Sequence, residues 1–558
     1  MKRIIYSLFA LCLLCCFNAN AQDISNIGTQ KPVTIQGTFG MGLGTYSSSG
    51  IDPREHSFNY LFSGTPILTI YGVSFPFSIV VSDQQRGFRQ PFNQYGISPT
   101  YKWVTVHAGW QSIQWSPFTL AGYNFLGGGV ELNPGKLRFG FIYGRFNKAI
   151  EQNSAQPLSF QTPAYKRAGY SVKLGYGTER NHLDITMLNA KDDANSLKNT
   201  PISTELAPAE NLVLGISSKW SFLKHFVWDF DVAGSIYTRN QKDDTLKNFR
   251  LDKINFIKDL ITINASSQLS TAAQTNLGYQ NKNYTIGLQY RRIDPDYKSM
   301  GAYYFETDVA NYTVQGGIAL MQGQLQLNGS LGFQNDNLLH DRAYTSHRNI
   351  SSLGVSFNKA KYGIDLRYSN YGITQDRGLN PIIDTFRVAR TNYNVNTVLR
   401  YTLANEKLSH NFLLVGSVQS LVDLNHFTSL QNQSKSKTGN LSYQLGFNKA
   451  AFSINTTYNY TVADLSQLHT IIYGPTIGFS KQLDKGKLGL NAAFSYQQQQ
   501  NNNKNAGNIF NGSFNGSYRF SARDAANITF IYLKSNSNDV TLPAFNEVRS
   551  SLNLSHSF

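Results

Sequence analysis

The chain of 558 residues has little charge, little proline and almost no methionine. Asp, Glu, Lys and Arg make up 15% of it, against roughly 25% in an average soluble protein. Its 16 prolines and 5 methionines exclude a proline-rich disordered polymer, and its many Tyr and Phe residues do not suit a repeat of leucine-rich helices. No linker divides the sequence after its first two dozen residues, so we expect one large architecture.

Cysteine is confined to the amino end, at Cys12, Cys15 and Cys16. There Lys2 and Arg3 precede an apolar run over residues 4–17, and Ala-Asn-Ala follows at positions 19–21. This pattern predicts a cleaved signal peptide over residues 1–21, because about 14 apolar residues are too few for a retained spanning helix. The mature chain, a short segment 22–32 and a barrel over 33–558, would then have no disulfide and no cysteine metal site.

Long apolar runs are also absent, and alternation with period two takes their place. Phe452, Ile454, Tyr458 and Tyr460, for example, alternate with serine, asparagine and threonine. A soluble sandwich alternates too, but these runs reach ten or more residues, beyond the ~5–6 of globular strands, and many end in aromatics. Long strands with aromatic girdles are typical of outer-membrane barrels.

Short turns alternate with long polar segments along the chain. Residues 133–136, 177–181 and 280–283 are among the short ones, and the long ones are 191–210, 239–268, 373–389, 423–437 and the low-complexity run 497–504. This asymmetry is typical of bacterial outer-membrane barrels. It predicts an all-β fold, a transmembrane antiparallel up-and-down β-barrel of about 24 strands (range about 20–26), with short periplasmic turns and long extracellular loops.

The last strand carries a more specific pattern. Leu552, Leu554 and Phe558 share one face, and the chain stops on that phenylalanine. This resembles the carboxyl-terminal assembly signal of Gram-negative outer-membrane β-barrel proteins. The Ala21–Gln22 junction and the Tyr/Asn-rich strands are similar to those of Bacteroidetes-type bacteria. The resemblance implies outer-membrane localisation, contact with membrane lipids and insertion by the barrel-assembly machinery, but it carries no site residue.

The parity of each strand predicts which charged residues face the lumen. Basic residues exceed acidic ones on the faces opposite the apolar stripes, which favours anions modestly, although a filled barrel with internal salt bridges would look the same. The lumen-facing candidates are Arg138, Lys173, Arg239, Arg291, Arg367, Arg400, Arg519 and Arg549, with Asp184, Asp229, Asp231 and Asp365.

A barrel of this size would enclose a lumen wide enough to need a filler. No amino-terminal plug domain precedes the first predicted strand in this sequence, so loops are the candidates. Trp115, Pro117, Phe118 and Leu120 make one loop unusually apolar. In the longest loop, helix-like spacing predicts an amphipathic helix that folds inward or covers a partner. Packing on the barrel's own rim is the alternative for both loops. The apolar residues of the longest loop are Leu246, Phe249, Ile254, Ile257, Leu260 and Ile261.

Catalytic and metal motifs are lacking. The histidines are scattered, and the densest group, His340, Asp341 and His347, is a weak metal candidate in a predicted loop. The net charge of +16 is dispersed along the chain rather than clustered, which argues against nucleic acid as a partner. We therefore expect no cofactor and no enzyme activity.

Two main functions remain. The first is a porin-like channel for passive diffusion of small polar or anionic solutes. The second is a non-enzymatic barrel subunit of a larger outer-membrane complex, whose lumen is filled by loops or covered by another outer-membrane or lipoprotein subunit. An enzyme on the barrel rim is a third, weaker alternative.

Overall fold

The computed structural model describes residues 32–71, 73–83, 94–151, 163–198, 206–244, 259–303, 306–342, 344–377, 387–538 and 543–558. These residues form one antiparallel sheet that closes on itself. A one-turn α-helix, Ser429–Asn432, and two short 3-10 turns interrupt the strands. No helix within the described ranges is long and apolar enough to cross a membrane.

The sheet consists of 29 strand segments. They are β1 Val33–Gln36, β2 Thr38–Ser49, β3 Phe58–Gly64, β4 Ile67–Ile70, β5 Val73–Ser82, β6 Gln94–Ile97, β7 Thr100–Tyr101, β8 Val104–Gln114, β9 Ala121–Leu132, β10 Leu137–Asn147, β11 Arg167–Gly177, β12 His182–Asp192, β13 Glu210–Phe222, β14 Phe226–Thr238, β15 Ser267–Gln280, β16 Tyr284–Ile293, β17 Val309–Leu320, β18 Leu325–Asn335, β19 Tyr344–Asn358, β20 Tyr362–Arg377, β21 Ala389–Ala404, β22 Leu408–Asp423, β23 Ser434–Phe447, β24 Phe452–Leu465, β25 Leu468–Leu483, β26 Leu488–Asn501, β27 Lys504–Arg519, β28 Asp524–Ser537 and β29 Phe545–Ser557.

Three pairs of segments are halves of one strand, so the barrel has 26 strands. β1 and β2 run on across Gly37, whose φ of +111° suits glycine. β3 and β4 both pair with β5, and β6 and β7 both lie between β5 and β8. The barrel closes where β2 pairs with β29 from Thr38↔Ser557 to Ser49↔Asn546. The predicted fold class is confirmed, with two strands more than the count of about 24, because the bent segments before β8 add strands.

The connections alternate as predicted, with two exceptions. Turns of a few residues join the strands at one end, which we call the short-turn end, and both β1 and β29 have their chain-terminal ends there. Longer connections lie at the other, long-loop end, except after β24, where residues 466–467 alone lead to β25. Residues 497–504, predicted to be a loop, instead belong to β26 and β27, joined by Asn502 and Asn503. Both asparagines have positive φ, 49° and 62°, as a tight hairpin turn requires.

The two faces of the wall differ in polarity. Tyr458 and Tyr460 of β24 are exposed on the outer face, whereas Asn455 and Asn459 point into the lumen with the polar residues of neighbouring strands. Aromatic rings contact one another around the short-turn end, in the series Phe222, Phe226, Tyr279 and Tyr284 at 4.9–5.6 Å between centroids. Tyr290 and Tyr312, 4.8 Å apart, lie nearer the long-loop end. The rings at the short-turn end form one of the two aromatic girdles that the sequence predicts.

Candidate functional site: the lumen and its inward loops

The apolar loop between β8 and β9, residues 115–120, folds into the barrel. Phe118 and Leu120 are both 0% exposed. They belong to a buried cluster with lumen-facing residues such as Ile142, Phe146 and Leu188. Of the two placements that the sequence leaves open for this loop, lumen or rim, the structure has the lumen.

A second loop, between β16 and β17, covers the first. The Tyr297 hydroxyl donates to the Phe118 carbonyl at 2.7 Å, and the Ser299 hydroxyl donates to the Thr119 carbonyl at 2.5 Å. The Ala121 N–H donates to the Gly301 carbonyl at 2.9 Å. Burial raises the pKa of Tyr297, so the phenol stays protonated and keeps its donor. We call residues 115–120 and 294–303 the two-loop plug.

The second loop was not predicted from the sequence. Its signal in the sequence is weak: Tyr297 and Met300 stand among charged and polar residues, and both are almost fully buried. Beyond the plug, Glu306 of the same connection binds Arg348 and accepts from Gln334, two lumen-facing residues of the wall. This contact ties the connection to β18 and β19 as well.

Trp115 fixes the first loop to the wall. Its indole N–H donates to Glu131 Oε1 at 2.5 Å, and Lys173 Nζ lies 3.3 Å from the same oxygen and 5.1 Å above the Trp115 ring. Gly140 leaves room for this ring, because a Cβ at Gly140 would lie 2.5 Å from Trp115 Cζ2. The plug therefore depends on a glycine in the wall.

Gly140→Val is expected to displace Trp115 and to destabilise the folded barrel by about 1–3 kcal/mol, the usual cost of overpacking. The protein is unfolded in lipid vesicles with increasing urea, and the folded fraction is monitored by its gel mobility. The midpoint of this transition measures the change in stability. Gly416→Val is the matched control, because a Cβ at Gly416 meets no atom within 4 Å. Equal midpoints for the two variants would contradict the role given to Gly140.

Several predicted lumen charges are neutralised on the plug side of the wall. Arg138 donates two hydrogen bonds to Asp184, at 2.8 and 2.9 Å, and Lys173 pairs with Glu131. Asp229 accepts from Asn276 at 2.6 Å, and Asp231 lies on the same strand face. Arg291 has its guanidinium 5.9 Å from the Phe118 ring centre. The Arg138–Asp184 and Lys173–Glu131 pairs therefore link strands of the filled half, whereas Asp229, Asp231 and Arg291 form no ion pair among the described residues.

Other basic residues remain without an acidic partner. No carboxylate in the described part of the chain forms an ion pair with Arg367, Arg400 or Arg519, all of which are exposed on lumen-side positions of β20, β21 and β27. Arg400 donates to Asn358, and Asp365 and Arg367 line a groove on the lumen wall. Arg239 lies one residue beyond β14, outside the strand on which parity had placed it.

A further ionic cluster lies at the closing seam. Arg54 and Glu55, from the loop after β2, reach Glu547 and Arg549 of β29 at 3.4 and 3.3 Å. The Tyr46 hydroxyl donates to Glu547 at 2.7 Å. Arg549, a predicted lumen residue, therefore has acidic partners. This cluster joins the first and last strands from the lumen side.

Among the described residues, the lumen is filled on one side only. All residues of its buried cluster come from the two loops or from β8–β10 and β12–β17. The opposite wall, from β18 to β29, instead presents exposed polar side chains to the lumen, among them Asn328, Asn396, Asn455, Asn491, Asn527 and Asn553.

The longest loop is placed differently from the prediction. Ile261 is 2% exposed and packs with Leu212, Met187 and Ile236. These wall residues share the outer face with exposed Leu214 and Ile216, so this part of the loop covers the outside of the rim. Of the placements that the sequence leaves open for this loop, Leu260 and Ile261 take the barrel's own rim and not the lumen wall, because period-two parity places their partners outward. Leu246, Phe249, Ile254 and Ile257 lie outside the described residues.

No metal centre was found among the described residues: no group of three or more His, Cys, Asp or Glu side chains converges there. His347 Nε2 instead lies 3.0 Å from Asp376 Oδ2. The weak metal candidate of His340, Asp341 and His347 therefore does not form a site.

No protein-family model matches the chain, and no curated protein matches its sequence. Solved barrels match at low similarity. OpdK of Pseudomonas aeruginosa with vanillate is 8% identical over 63% of this chain and 93% of that chain, with a TM-score of 0.31. The FrpB iron transporter of Neisseria meningitidis is 10% identical over 96% of this chain and 83% of that chain, with a TM-score of 0.36. The translocation pore of the P pilus usher PapC is 8% identical over 94% of this chain and 99% of that chain, with a TM-score of 0.38. These values carry no argument about function.

Proposed function

We propose that the protein is a porin-like channel of a Gram-negative outer membrane, through which small polar or anionic solutes diffuse passively. The observation that carries this proposal is the eccentric lumen, which has a two-loop plug on one side and exposed asparagine side chains on the other. The proposed role is non-enzymatic.

The outer surface supports the membrane placement. Leucine, isoleucine and phenylalanine side chains such as Leu174, Ile185, Leu414 and Phe479 are exposed on it. A closed barrel satisfies its backbone hydrogen bonds without water, which allows such a surface to face lipid. Outer-membrane lipids and, during insertion, the barrel-assembly machinery are the partners that this placement implies.

Single-channel recording in planar lipid bilayers tests the channel. The purified refolded protein should give discrete open steps, since no described loop packs against the lumen side of β24–β28. A correctly folded protein, verified by its heat-dependent gel mobility, that gives no steps would contradict the proposal.

Replacing Arg367 and Arg400 with glutamine is expected to lower the ratio of anion to cation permeability by roughly twofold, because these two residues carry lumen charges without an acidic partner. The reversal potential under a KCl gradient measures the ratio. Arg180→Gln, in the exposed turn after β11, is the control. An unchanged reversal potential would contradict the assignment of these residues to the solute path.

A second candidate, a subunit of a larger outer-membrane complex, is favoured by one loop. Leu424, Phe427 and Leu430 are exposed there, Leu430 by 87%. The loop is held rigidly, since Asp423 accepts hydrogen bonds from Thr428 and Asn432. An exposed apolar patch on a fixed loop is typical of a contact surface. Loss of a co-purifying outer-membrane or lipoprotein subunit after Phe427→Ser and Leu430→Ser would support this candidate.

A further inference from the structure

A cavity of about 460 Å³ lies between the lumen wall and the second loop of the plug. Its walls include Tyr123, Arg167 and Tyr237 from β9, β11 and β14, and Lys298 and Tyr303 from the plug. It lies near the long-loop end of these strands. The volume is in the range of pockets that bind small molecules.

Its aromatic side is preorganised. The Tyr123 and Tyr303 rings stack with centroids 4.6 Å apart and planes at 29°. Tyr123 donates to Asn147 at 2.7 Å and contacts the Phe146 ring, and the Tyr303 hydroxyl accepts from the Asn124 N–H at 3.1 Å. Tyr303 is nevertheless 60% exposed. The pair therefore presents a fixed, accessible aromatic surface, on which a ring can stack at little entropic cost.

The cavity also carries one positive charge, that of Lys298, which no ion pair neutralises among the described residues. Arg167 is neutralised by Asp192, to which it donates at 2.8 and 3.1 Å. Lys298 is exposed, and its Nζ lies 4.6 Å from the centre of the Tyr237 ring. The Lys298 backbone is fixed, since its carbonyl accepts from Ser235 at 2.6 Å.

We infer that this cavity binds a small ring compound that carries one carboxylate. The ring stacks on Tyr303. The carboxylate accepts a charge-assisted hydrogen bond from the Lys298 ammonium. Asp296 also lines the cavity and limits it to ligands of low negative charge. This inference rests on the proposed function in one respect, because it names the solute class that the same lumen would pass.

Isothermal titration of the detergent-purified protein tests the inference without any transport. Benzoate and glucuronate are the two probes, an aromatic and a sugar ring with one carboxylate, and benzyl alcohol and glucose are their neutral counterparts. At least one acid should bind more tightly than its counterpart, and the preferred acid identifies the ring type. Equal binding of acids and neutral compounds, or no binding of either acid, would overturn the inference.

Lys298→Gln should weaken binding of the preferred acid by roughly tenfold and leave its neutral counterpart unchanged. Asp296→Asn should strengthen it, and Tyr303→Leu should weaken acid and neutral compound together. Lys282→Gln, the same change in an exposed turn at the short-turn end, is the control. Equal affinities in Lys298→Gln and Lys282→Gln would contradict the site.

The two proposals fail separately. A protein that conducts ions but binds neither acid retains the channel function and loses this inference. A protein that binds an acid through Lys298 but never conducts loses the channel function and retains the site.

Discussion

Replacing Phe118 and Leu120 with serine is expected to raise the single-channel conductance severalfold. Both side chains are fully buried in the cluster that attaches the plug to the wall, and truncating a buried phenylalanine or leucine typically costs about 2–5 kcal/mol. The two loops hold each other through Phe118, Thr119 and their partners Tyr297 and Ser299, so loss of the first loop also releases the second. The solute path then widens into the filled half.

The barrel itself should survive this change, because its strand ladders do not pass through the plug. Heat-dependent gel mobility verifies the fold, and protease cleavage within residues 115–120 or 294–303 reports the release. Phe118→Leu, which keeps an apolar side chain at the site, is the control. Released loops together with unchanged conductance would mean that the plug does not obstruct the path.

Replacing Leu554 and Phe558 with serine is expected to lower the folded yield in lipid vesicles by roughly tenfold. Leu554 lies on the outer face of β29, which pairs with β2 from Asn546 to Ser557. Phe558 follows the strand directly, and its N–H donates to the Gly37 carbonyl at 3.0 Å. Closure at this seam removes both free edges of the sheet. The two substitutions therefore weaken the pairing of β2 with β29, which closes the barrel.

Phe412→Ser with Leu414→Ser is the matched control. These residues of β22 have similar exposure on the outer face, but their strand lies between two neighbours that are close in sequence. Gel mobility after dilution from urea measures the folded fraction of each variant. Equal yields would show that the loss of two apolar side chains lowers assembly wherever they lie on the outer face, and that the closing seam has no special role.

Period-two alternation made the fold predictable. Alternate residues of a strand point to opposite faces, so the exposed outer tyrosines of β24 and the lumen positions of Arg138, Arg367 and Arg400 follow from counting along one strand. The asymmetry of turns and loops was equally local. It failed at residues 497–504, where a polar glutamine and asparagine run looks like a loop but forms two strands joined by a two-residue turn.

The loops were decided only by the tertiary structure. Phe118 and Ile261 are both apolar residues in predicted loops, yet one lies inside the barrel and the other covers its outer rim. Composition cannot distinguish these sites, because each depends on partners elsewhere in the chain: Phe118 on Tyr297, 179 residues away, and Ile261 on Leu212 and Ile236. The sequence by itself therefore determined a closed barrel with a polar lumen, through the local geometry of its strands. Only the packing of distant segments decided which half of that lumen is filled.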